Sequence, residues 1–166
     1  MKPKLSKKAI ALLRKVQKTI TEEPNRLCMG SWGQQSTEDT IKVSDYKSGK
    51  WIERPTPACG TVGCIAGWTA ILGLPKDELP IIQIKGRDMV DVAEIDDVEE
   101  KAAELLGLDA QDAQALFYLN NWDIVKSMGY KSWPKQFDEA YGKAETAEER
   151  AKVTCDRIDY FIEHVA

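Results

Sequence analysis

The sequence predicts a mainly α-helical single domain, an orthogonal bundle of five or six helices with a small β-hairpin near residues 38–54. Three observations predict it. Apolar residues recur at helical spacing near both ends of the chain. Thr146-Ala147-Glu148-Glu149 is a capping box, in which the threonine oxygen takes a backbone N–H of the first turn and the glutamate reaches back. Between these ends, Val62 to Leu72 is largely apolar, as in a helix buried on all sides. At 166 residues, 43% of them hydrophobic and 30% charged, the chain is long enough for one domain to bury a real core.

The first helix runs from about Lys4 to Thr21. Leu5, Ala9, Leu12, Leu13, Val16 and Ile20 fall on one face, and Lys4, Lys7, Lys8, Arg14, Lys15 and Lys18 largely on the other. Glu22-Glu23-Pro24 closes it, because the residue before a proline is disfavoured in the helical region. In the hairpin, Ile41-Lys42-Val43 and Lys50-Trp51-Ile52-Glu53 flank a turn signal at residues 45–49. Pro55 and Pro57 stop their neighbours from continuing as a central strand. The second helix spans about Val62 to Leu72, with Thr61 as its N-cap and Gly73-Leu74-Pro75 as its stop, glycine taking the left-handed position. Ile81-Ile82-Gln83-Ile84 is β-rich but short, and pairing it with the hairpin would make a three-stranded sheet.

From about Asp88 the chain reads as helices. Ile95, Val98, Ala102, Leu105 and Leu106 make one stripe, ended by Gly107-Leu108. Asp109 caps the next helix, which carries Ala113, Leu116, Phe117 and Leu119. Asn120 to Ser132 reads as a loop, and Pro134 starts a helix that buries Phe137, Ala140, Tyr141 and Ala144. After the capping box, Ala147, Ala151, Cys155, Ile158, Ile162 and Val165 line the buried side of the last helix.

Net charge is −4, unevenly spread. Residues 1–20 hold seven basic side chains and no acid, whereas residues 76–112 hold twelve acids and four bases. The overall acidity argues against a general nucleic-acid binder. No stretch reaches the ~20 apolar residues of a membrane span. The basic N-terminal start lacks the apolar core and cleavage site of a secretory signal. A cytoplasmic protein with its four cysteines as thiols is expected.

The densest run of unusual residues is Cys59-Gly60-Thr61-Val62-Gly63-Cys64-Ile65-Ala66-Gly67-Trp68. Its sulfurs read as packing filler, and Gly63 and Gly67, four apart, as a groove for a crossing helix. A thiol near a helix N-terminus has its thiolate stabilised, which makes Cys59 and Cys64 candidate nucleophiles with His164, the single histidine, as candidate base. Nothing in the sequence brings these three together. A zinc site would need Cys28 and Cys155 as well, and Cys155 lies on the apolar stripe of the last helix. Neither a metal nor a cofactor is predicted, since Gly60–Gly63 lacks the lysine and hydroxyl of a phosphate loop.

The decamer resembles a signature of small bacterial and phage proteins with no assigned activity, Cys-Gly-Thr-x-x-Cys-x-Ala-Gly-Trp. The later pattern is similar too: Leu105-Leu106-Gly107-Leu108, Leu116-Phe117, Trp133-Pro134 and a final helix with Arg157-Ile158 and Phe161-Ile162. Such proteins often carry a histidine within or just after the first motif, where this chain has Val62-Gly63 and Trp68. A phage or mobile-element origin implies a host-directed role, such as inhibition of a defence system. With no complete catalytic or ligand set, the sequence predicts a non-enzymatic protein-interaction domain. Its contact residues would be Lys4, Lys7, Lys8, Arg14, Lys15 and Lys18 on the first helix, with the loop tryptophans Trp32 and Trp122. The alternative is a thiol-dependent enzyme centred on Cys59 or Cys64.

Overall fold

The computed structural model describes residues 5–45, 48–118 and 136–165. Helix α1 (Lys7–Glu22) begins at Ser6, whose hydroxyl accepts the Ala9 N–H, and buries Ala9, Leu12, Leu13, Val16 and Ile20 as its periodicity predicts. Strands β1 (Gln34–Gln35), β2 (Thr40–Ser44) and β3 (Trp51–Pro55) follow, then β4 (Thr61–Val62) and α2 (Ile65–Gly73). Next come β5 (Ile81–Ile84), β6 (Arg87–Val90), α3 (Val98–Leu106), α4 (Ala110–Phe117), α5 (Gln136–Lys143) and α6 (Ala147–Val165). Leu119, Trp122, the loop placed at 120–132 and Pro134 lie outside the described residues, as does Lys4.

The expected helical bundle with a single hairpin is overturned. Among the described residues, six helices are joined by six strands in three separate antiparallel pairs, so the fold is mixed α/β. The predicted hairpin is present as β2–β3, with Ile41 opposite Arg54 and Val43 opposite Ile52. Ile81–Ile84 does not join it. It pairs with Arg87–Val90 instead, so residues 88–90 are strand and not helix. The turn between them is Lys85-Gly86, both at positive φ, the conformation whose twist suits a two-residue hairpin.

The start of α2 is also corrected. Thr61 and Val62 are taken up by pairing with Gln35 and Gln34, so the helix begins later and Cys64 is its N-cap. Gly73 is the last helical residue rather than a left-handed cap. A Cβ there would lie 2.8 Å from Leu12 and 2.9 Å from Leu105, so its role is to let α1 and α3 close in on α2.

One core joins the inner faces of α1, α2, α3, α4, α5 and α6. A small second core of Cys28, Ile41, Val43 and Val62 lies under the β2–β3 hairpin. The Asp109 cap and the Thr146–Glu149 box form as predicted: Asp109 accepts the Asp112 N–H at 2.8 Å, Thr146 Oγ1 accepts the Glu149 N–H at 3.1 Å, and Glu149 accepts the Thr146 N–H at 3.2 Å. The α6 stripe contains one residue that periodicity alone does not flag. Arg157 is fully buried, donates from Nη2 to the Ala115 carbonyl at 2.8 Å, and lies against the rings of Phe137 and Phe161.

Candidate functional site

The site is built outward from the decamer. Residues 26–33 wrap the start of α2 through main-chain contacts. Gly63 N–H donates to the Arg26 carbonyl at 2.9 Å, Cys28 N–H to the Gly63 carbonyl at 3.0 Å, and Cys64 N–H to the Ser31 carbonyl at 2.9 Å. The buried Trp68 adds its indole N–H to the Arg26 carbonyl at 2.8 Å. Gly67 completes the junction, since a Cβ there would sit 1.7 Å from the Trp32 carbonyl oxygen. The groove predicted at Gly63 and Gly67 exists, but a loop backbone fills it and not a crossing helix.

Pinning the Trp32 backbone fixes where its side chain goes. Trp32 as a residue is 39% exposed, and its ring meets that of Tyr118 edge-on, with centroids 5.8 Å apart and planes at 84°. Trp51, on the outward-facing register of β3, is 63% exposed. Between the two tryptophans runs a groove of about 440 Å³, floored by Met29 and Cys64 and walled by Phe117 and Tyr118. The Tyr118 hydroxyl donates to Glu99 at 2.6 Å. Burial, together with that carboxylate, pushes its pKa up to about 12.

The four thiols lie at different depths, with Cys28 and Cys64 buried, Cys155 half-buried and Cys59 exposed. Cys64 Sγ accepts the Gly67 N–H at the helix start, yet burial pushes its pKa up to about 11. Desolvation here outweighs the helix N-terminus, the opposite of what a nucleophile at neutral pH needs. Cys59 is exposed, which corrects its reading as buried filler, and its Sγ lies 3.4 Å from the Thr61 carbonyl. His164 stacks on Tyr160 at 3.8 Å near the end of α6, and neither Cys59 nor Cys64 is hydrogen-bonded to it. Cys28 is buried and Cys155 half-buried, each with its pKa raised by burial. Among the described residues no group of three potential ligands is placed to hold a metal ion.

No family model, curated protein or solved structure matches the chain.

The basic face of α1 is divided by the fold. Arg14 is paired with Asp159 and Lys18 with Glu22 at 3.7 Å, while Lys7, Lys8 and Lys15 are exposed and carry no ion pair among the described residues. Trp32 lies in a loop as the sequence reading has it, and Trp122 lies outside the described residues. Trp51 and Tyr118 were missed as groove residues. For Trp51 the signal was readable: in a two-stranded hairpin the residues alternating with Ile52 must face water. For Tyr118 no local signal exists, since it depends on α4 ending beside the 29–34 loop. Among the described residues, no helix is long and apolar enough to cross a membrane.

Proposed function

We propose that the protein is a non-enzymatic protein-interaction domain whose contact surface is the groove between Trp32 and Trp51. One observation carries this reading: the Trp32 main chain is locked against Gly67 while its ring stands in solvent beside a groove. An aromatic anchor held in place before binding loses little conformational freedom on association, and buried tryptophans dominate binding energy at interfaces. The raised pKa of Cys64 counts against the thiol-enzyme alternative at that residue. If the decamer's resemblance to small bacterial and phage proteins reflects a phage or mobile-element origin, the partner is a host protein met in the cytoplasm.

The test is quantitative affinity capture from bacterial lysate, comparing wild type with a Trp32→Ala/Trp51→Ala variant shown to be folded by circular dichroism. Losing the two anchors should weaken binding of a specific partner by about thirtyfold for each, at ~2 kcal/mol per hot-spot residue. Identical captured sets would sink the proposal. So would fast alkylation of Cys64 in the native protein near neutral pH.

A further inference from the structure

The groove beside Trp51 does not end at Trp32. On the other side of the Trp32 ring a second groove of about 390 Å³ runs over Val92, Ile95 and Val98. Gly33 lets the loop pack directly on Val92 at this groove, since a Cβ there would lie 2.6 Å from the Val92 side chain. That groove opens past Asp97 and Glu99 into a third trough of about 400 Å³, which also carries Glu100 and Glu104 beside Leu108. Trp32 thus lines the first two grooves, and Asp97 and Glu99 line the second and third, so that a track over the three has aromatic rings at one end and aliphatic side chains beside an acidic rim at the other. Among the described residues that line the second and third grooves there is no base. The neighbouring Lys101 reaches only Glu104, at 3.8 Å.

Helix stability explains part of this rim and not the rest. Asp97 caps α3 by accepting the Glu100 N–H at 3.1 Å, and Glu99 and Glu100 sit in its first turn, where negative charge suits the helix dipole. Glu104 is in the last turn, where a negative charge opposes it. Glu99 is half-buried under the Tyr118 hydroxyl, at the join of the two grooves. These acids therefore serve a surface as well as a helix.

Resting on the groove reading above, we infer that the occupant of the track is a cationic amphipathic segment of a partner protein. Its lysines or arginines meet Asp97, Glu99, Glu100 and Glu104, and its large apolar side chains pack against Trp32 and into the aliphatic groove. Charge complementarity selects the sign, and the apolar floor requires the anchor. Nucleic acid and anionic lipid carry the wrong charge for this rim. The basic face of α1 from a second copy has the right charge but no anchor, because Leu12, Leu13, Val16 and Ile20 are buried in their own core. Charge alone across an exposed rim is worth little.

The probe is a fluorescein-labelled ~14-residue Lys/Leu amphipathic peptide, read by anisotropy against the full chain. A Glu/Leu and a Lys/Ser peptide of the same length should each bind about tenfold more weakly or worse. Trp32→Ala should weaken the Lys/Leu peptide about tenfold or more, as should Glu100→Lys/Glu104→Lys. A charge-matched control on exposed α6 positions, Glu148→Lys/Glu163→Lys, should change its affinity less than about threefold, because distant exposed charges are screened. The inference is overturned if the α6 reversal costs as much as the rim reversal, if the Glu/Leu peptide binds equally well, or if the Lys/Leu peptide shows no binding at ~1 mM. It is also overturned if sedimentation of the protein alone shows self-association abolished by Lys7→Glu/Lys15→Glu, which would put a second copy on the rim. Failure of the peptide series with tryptophan-dependent capture intact would discard the basic segment and leave the groove standing.

Discussion

The start of α2 and the groove beside it share one stretch of chain, residues 26–33, and use it in opposite ways. At the junction the loop offers its main chain inward. The Arg26 and Ser31 carbonyls take N–H groups from Gly63, Trp68 and Cys64, and the Trp32 carbonyl rests on Gly67. At the groove the same loop offers side chains outward, and the Trp32 ring is left for a partner. The two tryptophans make the contrast sharp. Trp68 is 5% exposed with its N–H bonded in the interior, while Trp32 is 39% exposed and held only edge-on by Tyr118. The difference teaches that a surface anchor need not be rigid by its own contacts. Its main chain can be seated by the core instead, here by close packing on Gly67.

The strongest attack on that contrast is Gly67→Ala. A methyl group 1.7 Å from a main-chain oxygen cannot be relieved by a rotamer change, so the cost should reach about 3 kcal/mol or more, above the usual range for overpacking. Urea denaturation measures it, and acrylamide quenching should show Trp32 displaced in whatever folded fraction remains. Trp68→Phe should cost about 2 kcal/mol, by losing the bond to Arg26 and leaving a small void, while groove binding stays near wild type. Trp32→Ala should cost only about 1 kcal/mol of stability, the worth of one edge-to-face ring pair, while removing most of the binding. If Trp32→Ala destabilises as much as Trp68→Phe, the two tryptophans do the same job and the contrast fails.

The smallest effect is visible only at high pH. The Tyr118 pKa is raised in the folded state from its ordinary 10.0 to about 12. A raised pKa means that the folded protein holds a proton which the unfolded chain loses first. The contribution is therefore whole below pH 10 and declines as pH climbs toward 12. The stability gap between wild type and Tyr118→Phe should stay constant at neutral pH and narrow above 10, and the difference in tyrosinate absorbance between the two proteins should isolate the late transition of Tyr118 from that of Tyr141, which burial also pushes up to about 12.

What the sequence revealed follows the range of the interactions involved. The α1 face, the β2–β3 hairpin, the Asp109 cap and the Thr146–Glu149 box depend on residues within a few positions of one another, and all are as expected. The close approach at Gly63 and Gly67 was legible, but its partner was not, because Trp32 lies more than thirty residues earlier in the chain. Thr61 failed as a helix cap for the same reason: Gln35 claims it from a distant strand. The β5–β6 hairpin was overlooked although Lys85-Gly86 was there to mark it. Of the candidate groove, Trp32 was flagged from its loop setting, which the fold shares. Trp51 was discoverable by strand alternation, and the acidic trough appears only once α3 is turned toward the 31–34 loop.

Arg157 bears on the groove from the interior. Its guanidinium fastens the Ala115 carbonyl, two residues before Phe117, to the middle of α6. The wall of the groove is thus braced from behind by a residue that no ligand touches. A lysine at 157 has neither the planar fork nor the same reach. Such an allele would leave every surface residue in place and still let the recognition face sag, so screens that score only exposed positions would overlook the brace on which the wall leans.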